Sequence, residues 1–412
     1  MTTSIIEKHV VRVLASAQIL NGLGVAGTVA AGSLLVSSIS KSESLAGLAQ
    51  TSGVLGAAAM ALPLSKLTLY GGRRLALSVG YFVGVIGALF AIIGGATRIL
   101  PLMLLGTFLV GAASAAGYQA RFAAVDLAND ETRSRHLSMV VWGSTVGAIA
   151  GPNLMEPSGN FAQWLGLPRL VGPYILAIFT LILATLVISL FLKPDPYLTA
   201  IKLLPSSAQN QAKTSTVATL KIIAKTPHAL FAIGSIAIGH VVMVSVMVMT
   251  PVHMAHVKDT LTIIGIVISV HVAGMYALSP LVGYLSDSIG RKRVIQLGVV
   301  ILLSAAFIAG RSPGKHALSL GVGLFLLGLG WSCTLIAGSA LLSESVSEAM
   351  LPSTQGASDL IMNLMGAVGG AMAGVIIATL SYGWLCAMAA IPVIFLGFWS
   401  LRLSPPLGTM ES

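Results

Sequence analysis

Long apolar runs separated by short polar segments make up most of this chain. Six runs lie in the first half, at 12–38, 44–66, 74–97, 99–125, 136–156 and 169–193. Six more follow, at 228–255, 260–284, 292–310, 316–343, 353–381 and 383–403. The hydrocarbon core of a bilayer takes about 20 apolar residues per helix. The pattern therefore predicts twelve membrane-spanning helices in two sets of six.

A polar stretch between the two sets, "KPDPYLTAIKLLPSSAQNQAKTSTVATLKIIAKTP" (193–227), predicts a linker with one short surface helix. The expected domains are an N-terminal six-helix bundle (1–193), a cytoplasmic linker (194–227) and a C-terminal six-helix bundle (228–412). The start, "MTTSIIEKHVVRVLASAQIL", has no A-x-A cleavage pattern. We therefore predict that it begins the first transmembrane helix and is not a removed signal peptide.

Composition supports the membrane prediction. Hydrophobic residues make up 56% of the 412 residues and charged residues only 9%, whereas soluble domains carry about 25% charge. The 45 glycines suit helices that pack closely in lipid. Both cysteines, Cys333 and Cys386, lie inside apolar runs without a CxxC spacing, so no disulfide framework or metal site is expected.

Membrane topology explains the net charge of +10 better than a nucleic-acid partner does, because the basic residues lie in the gaps between apolar runs. If the N-terminus is cytoplasmic, 16 of the 23 basic residues fall inside and six outside. Arg121, within a run, is the remaining one. The positive-inside rule then predicts both termini in the cytoplasm of a cell (plasma or inner) membrane protein.

The two halves repeat each other. "SPLVGYLSDSIGRKRVIQLG" (279–298) matches "LPLSKLTLYGGRRLALSVG" (62–80), with Lys66 in place of Gly283 and Tyr70 in place of Asp287. Gly-x-x-x-Gly also occurs in both the fifth run, from Gly147, and the eleventh. Repeated halves are typical of transporters whose site lies at the repeat interface.

Gly283-x-x-x-Asp287-x-x-Gly290-Arg291-Lys292 resembles the loop signature of the major facilitator superfamily. The resemblance implies an all-α membrane protein with twelve transmembrane helices in two pseudo-symmetric six-helix bundles, the major facilitator fold. It also implies that these five residues form a conformational latch. We expect Asp287 to pair with Arg291 and to meet the N-terminus of the eleventh helix. The alternative is that the charges only fix topology.

Two further segments bear on this prediction. Asp126 is expected to belong to the conformational latch as well, as a structural partner of the cytoplasmic charges. Gly147, Gly151 and Pro152 resemble the Gly-x-x-x-Gly-Pro signature on the fifth helix of proton-coupled exporters in this superfamily, although its closing Gly-Gly is absent. These glycines predict close helix packing and the proline predicts a bend. Packing without any bearing on the direction of transport is the alternative.

Polar side chains inside membrane helices are candidates for the substrate and proton pathway. The predicted set is Gln18, Asn21, Tyr118, Gln119, Arg121, His240, His271, Trp331, Asp359 and Asn363. Arg121 could hold an anionic group or a carboxylate, pair with Asp126, or extend towards the membrane surface. Each histidine is either a proton carrier or a neutral, hydrogen-bonded residue. Asp359 is a proton site or a partner for the loop charges.

These features predict a secondary transporter of a small organic solute that works by alternating access, as a proton-coupled exporter (an antiporter). Import of a metabolite or vitamin is the alternative. A membrane-embedded enzyme or a sensor is less favoured, because no nucleophile with its base and no metal cluster is visible. We expect a monomer in the bilayer with a solute and a coupling proton as partners, and no cofactor, metal or nucleic acid.

Overall fold

The computed structural model describes residues 3–41, 45, 47–203, 216–256, 261–312 and 317–403. The regular structure of these residues is helical. The helices are α1 Thr3–Ser40, α2 Leu48–Thr97, α3 Leu100–Ala123, α4 Arg133–Asn153, α5 Met155–Trp164, α6 Gly172–Phe191, α7 Pro196–Leu203, α8 Thr216–Lys225, α9 Pro227–His256, α10 Leu261–Tyr276, α11 Ser279–Ile289, α12 Arg291–Arg311, α13 Ala317–Glu344, α14 Leu351–Thr379 and α15 Tyr382–Arg402.

Ten stretches of the described chain are long and apolar enough to cross a membrane. One of them, Leu48–Thr97, contains two spans, because Gly72 interrupts it with non-helical angles of φ 81° and ψ 177°. The helix Arg133–Asn153, with 21 residues, lies where the sequence predicts the fifth span, although it is less apolar and is not among these ten. Counted with it, the series has twelve members, as the hydrophobic pattern predicted.

The predicted linker differs from the structure in one respect. Two short helices, not one, lie in its described part, namely Pro196–Leu203 and Thr216–Lys225. The first is not simply a surface helix, because Pro196, Tyr197 and Ala200 are buried. Residues 204–215 of the linker lie outside the described residues.

The chain divides into two compact units. The first unit comprises Met1–Asn129, Met139–Lys213 and Glu348–Leu364, and the second comprises Asp130–Ser138, Thr214–Ser347 and Met365–Ser412. In the first unit α2 packs against α3 and α1 packs against α6, and in the second α13 packs against α9, α10 and α12. The predicted bundle boundaries at the linker stay a prediction.

Candidate functional site

A buried ion pair in the first unit joins two membrane-spanning helices, α3 and α14. Arg121 Nη2 is 2.6 Å from Asp359 Oδ1, and the two side chains are 2% and 1% exposed. The guanidinium also lies 5.8 Å from the ring centroid of Tyr118 and 4.6 Å from that of Phe122. Arg121 therefore holds a carboxylate and does not extend to the membrane surface. The second oxygen of Asp359, Oδ2, is buried with no hydrogen-bond partner among the described residues.

Polar side chains of α1 and α14 belong to the same unit. Asn363 Nδ2 donates to the backbone carbonyl of Asp359 at 2.8 Å, one turn away. Gln18 Nε2 donates to Ser144 Oγ at 2.9 Å. Asn21 lies against Gly117 of α3, because a methyl group on Gly117 would lie 2.5 Å from Asn21 Nδ2. The predicted pathway residues Gln18, Asn21, Tyr118, Arg121, Asp359 and Asn363 thus all lie on helices of the first unit.

A cavity of about 180 Å³ lies beside this polar group, between α1, α2 and α3. Tyr118 and Asn363, neighbours of the ion pair, contribute to its wall. Its other polar lining side chains are Thr28, Gln50, Thr107 and Ser114. Drug-sized ligands occupy pockets of about 300–1,000 Å³, so this cavity is smaller than a pocket that encloses a whole ligand of that size.

Gln119 and His271, two other predicted pathway residues, make helix-to-helix hydrogen bonds. Gln119 donates from Nε2 to the backbone carbonyl of Ala61 at 2.8 Å. His271, fully buried, bonds through Nδ1 to the backbone carbonyl of Leu324 at 2.8 Å. The second contact shows that this histidine is hydrogen-bonded to the neighbouring helix α13.

His240 and Trp331 form a pair in the second unit. Trp331 Nε1 lies 3.2 Å from His240 Nδ1. The indole N–H can only donate, so Nδ1 accepts and this tautomer of the imidazole is protonated at Nε2. Tyr276 meets Trp331 edge-on, with ring centroids 5.7 Å apart. Gly366 leaves room for the imidazole, because a methyl group there would lie 2.8 Å from its Cδ2.

The loop motif forms an ion cluster in the second unit around Asp287, whose side chain is 1% exposed. Its Oδ1 accepts from the backbone N–H of Ser134 at 3.0 Å and is 3.1 Å from Arg291 Nη1. Its Oδ2 accepts from the backbone N–H of Arg135 at 2.9 Å and from Arg135 Nε at 3.2 Å. The helix N-terminus that Asp287 meets is therefore that of α4, the fifth span. The prediction of the eleventh helix was wrong.

Arg291 extends this cluster to α13. Its Nη2 is 2.7 Å from Glu344 Oε1, its Nη1 donates to the carbonyl of Ser286 at 2.8 Å, and its Nη2 also bonds to the carbonyl of Asp130. Gly290 has a φ of 97°, a conformation that favours glycine.

Two other motif residues have separate contacts. A methyl group on Gly283 would lie 2.6 Å from Ser138 Cβ of α4, so this glycine permits close approach of the two helices. Lys292 lies apart from the cluster, because its Nζ donates to the backbone carbonyl of Leu403 at 2.6 Å. The structure does not place Lys292 with the other predicted latch residues.

Arginines of the first-half copy of the loop bond to acidic residues from other parts of the chain. Arg73, 1% exposed, makes two bonds to Asp126, from Nε at 2.7 Å and from Nη2 at 2.9 Å. Its Nη2 also donates to Gln355 Oε1 at 2.5 Å. Asp126 therefore pairs with Arg73 and not with Arg121. Asp195 accepts the backbone N–H of Arg74 at 2.7 Å, whereas Tyr70, at the position of the missing acid, is 82% exposed.

Gly72→Ala is expected to lower the stability of the protein by about 1–3 kcal/mol. The backbone φ of 81° disfavours any side chain, and a methyl group would lie 2.5 Å from Asp195 Cγ. Thermal unfolding of the purified protein measures the loss. Gly47→Ala is the matched control, because its φ is −65° and a methyl group there meets no described atom within 4 Å. Equal stability of the two variants would contradict the expectation.

The glycines of the fifth span pack against α1. A methyl group on Gly147 would overlap Gly22, and one on Gly151 would lie 2.7 Å from Ala26 Cβ. Close packing by these glycines is therefore seen. The side chain of Pro152 lies outside the described residues.

Sequence reasoning missed several residues of these clusters, including Ser134, Glu344 and Gln355. Arg73 and Arg135 are among the 16 basic residues that the positive-inside count assigns to the cytoplasm. A usable signal existed for Arg73, because it occupies the position that corresponds to Arg291 in the repeat.

Long apolar helices, repeated loop motifs and buried charges within those helices are typical of multi-pass membrane transporters. The family model "Major Facilitator Superfamily" matches residues 14–259 and 243–410. The chain belongs to the major facilitator superfamily, whose members are transporters and not enzymes.

Known proteins of this family resemble the whole chain. The uncharacterized MFS-type transporter YdeG of Bacillus subtilis is 34% identical over 393 residues, which cover 94% of this chain and 91% of that protein. The riboflavin transporter RfnT of Brucella anthropi is 26% identical over an alignment of 428 positions, which covers the full length of both chains. Among solved structures, human MFSD10 (TETRAN) is similar with a TM-score of 0.75, 14% identity and coverage of 96% of this chain and 99% of that chain.

Proposed function

We propose that this protein is a proton-coupled secondary transporter that exports a small organic solute by alternating access. The observation that carries the proposal is the buried pair of Arg121 and Asp359. A buried charge that loses its partner is costly, so the pair can separate only when another group compensates it. A proton on Asp359 and a solute near Arg121 are two such groups, and competition between them couples their movements.

Export is supported by the resemblance of Gly147, Gly151 and Pro152 to the exporter signature. We further propose that the protein acts as a monomer in the cell membrane, with both termini in the cytoplasm. The support for this orientation is the excess of basic residues in the loops assigned to the inside.

Uptake of a metabolite or vitamin is the second candidate. It is favoured by the similarity of the full chain to a protein named as a riboflavin transporter. The cavity beside the ion pair also fits an uncharged polar group, because its polar lining consists of hydroxyl and amide side chains.

Reconstituted vesicles with a trapped pH-sensitive dye test the coupling. Solutes are first selected by thermal stabilisation of the purified protein, since a ligand of the folded state raises its stability. The panel contains riboflavin, lipophilic cations and anionic metabolites. In the vesicles, antiport is expected to raise the internal pH as the solute enters, and symport to lower it.

The sign of the pH change therefore separates the two candidates. Uptake of the solute with no pH change would contradict proton coupling in either direction. Glu156→Gln serves as a matched control, because this acid is 77% exposed and pairs with Arg169 at the surface. Its transport should equal that of the original protein.

A further inference from the structure

An open groove of about 820 Å³ lies on the second unit between the end of α12 and the start of α15. The two helices nearly touch at its floor. A methyl group on Gly310 would lie 2.9 Å from Cys386 Cβ, and one on Gly383 would lie 3.0 Å from the carbonyl oxygen of Gly310. Phe307 and Trp384 also line the groove and are 61% and 60% exposed. The groove is therefore narrow at its base and apolar along its sides.

One end of the groove is positively charged. Arg311, the last residue of α12, lies 4.9 Å from the ring centroid of Phe307. It makes no ion pair with any residue in the described part of the chain. Ser381 lies at the same end and caps α15 by accepting the backbone N–H of Trp384 at 3.3 Å. The N-terminus of α15 adds partial positive charge.

The charged end of the groove lies where two membrane spans end. Arg311 ends one membrane span and Tyr382 begins another, so the charged end lies at a membrane interface and the apolar part extends into the bilayer. Arginine and tryptophan at this depth contact phospholipid headgroups. The groove thus offers a cation where lipid phosphates lie and an apolar channel where acyl chains lie.

We propose that this groove is a binding site for one anionic glycerophospholipid. Its headgroup pairs with Arg311, and one acyl chain lies along the floor between Phe307 and Trp384. The charge of Arg311 selects the occupant, because the described residues provide no acid to neutralise it. The site is separate from the buried polar group of the first unit and does not depend on the identity of the solute.

Thermal unfolding of the purified protein during lipid titration tests the proposal. The two probes are phosphatidylglycerol and phosphatidylcholine with identical oleoyl chains. Phosphatidylglycerol is expected to raise the Tm in a saturable manner, and phosphatidylcholine much less. Arg311→Gln should weaken the apparent affinity for phosphatidylglycerol about fivefold. Ala387→Phe, at an exposed position that lines the groove, should reduce binding by filling the acyl channel.

Arg98→Gln is the matched control. Arg98 follows the third span as Arg311 ends the ninth, and it is also exposed. This variant should keep the full response to phosphatidylglycerol. Equal responses to the two lipids, an unchanged response in both groove variants, or an equal loss in Arg98→Gln would each overturn the proposal. The last result would mean that general surface charge, and not the groove, attracts the lipid.

Discussion

Replacing Asp359 by leucine is expected to destabilise the protein by about 3–5 kcal/mol, because it leaves a buried guanidinium without its counter-charge. The carboxylate lies 2.6 Å from Arg121 Nη2, and both side chains are almost fully excluded from the surface. Arg121→Leu should destabilise to a similar degree for the converse reason. Thermal or denaturant unfolding in detergent measures both variants.

The double variant Arg121→Leu/Asp359→Leu separates structure from function. With both charges removed, most of the stability lost in each single variant should return, as replacement of a whole buried ion pair by apolar side chains is often close to neutral. Proton-coupled transport should be absent in all three variants, because each lacks Asp359, which is proposed to carry the proton, or Arg121, which is proposed to meet the solute, or both. A double variant as unstable as the single ones would contradict the expected pairing energy, and retained coupling would contradict the proposed role of Asp359.

The fold could be predicted from the sequence because its physics is local. A membrane span requires an apolar run of fixed minimum length, and each span can be recognised without its neighbours. The break at Gly72 within Leu48–Thr97 was also visible, since Gly71-Gly72-Arg73 separates two apolar runs. The number of short linker helices was wrong, since propensity over eight to ten residues is a weak signal.

The pairing of Asp287 with Arg291, four residues away, was predicted and is confirmed, but the pairing of charges distant in sequence could not be predicted in this way. Arg121 and Asp126 are five residues apart, yet each pairs with a residue distant in sequence, Asp359 and Arg73. Helical periodicity shows which residues share a face, but not which helix that face meets. The same limit applies to Asp287, because its contact with α4 depends on helix packing. Sequence reasoning singled out both members of the pairs Arg121–Asp359 and Asp287–Arg291. It missed Arg73, Arg135 and Glu344 as the other charged partners.

Asp287→Asn is expected to destabilise the protein by about 2–4 kcal/mol. Each carboxylate oxygen of Asp287 faces two N–H donors, with Ser134 and Arg291 at Oδ1 and the backbone and side chain of Arg135 at Oδ2. Either orientation of an asparagine amide therefore places its NH₂ group against two donors. The loss should be measurable as a lower Tm, and the rate of solute transport should change if the cluster acts as a latch.

Asp130→Asn tests whether this effect depends on burial. Asp130 lies in the same polar segment and pairs with Arg133 at 2.9 Å, but its side chain is 81% exposed. Surface ion pairs contribute about 0–1 kcal/mol, and the backbone carbonyl that Arg291 contacts is unchanged by this substitution. Asp130→Asn should therefore keep both its Tm and its transport rate. If Asp287→Asn behaves the same way, the charges of the loop serve only to orient the chain in the membrane. A large effect confined to Asp287 supports a latch that joins the loop to the N-terminus of α4.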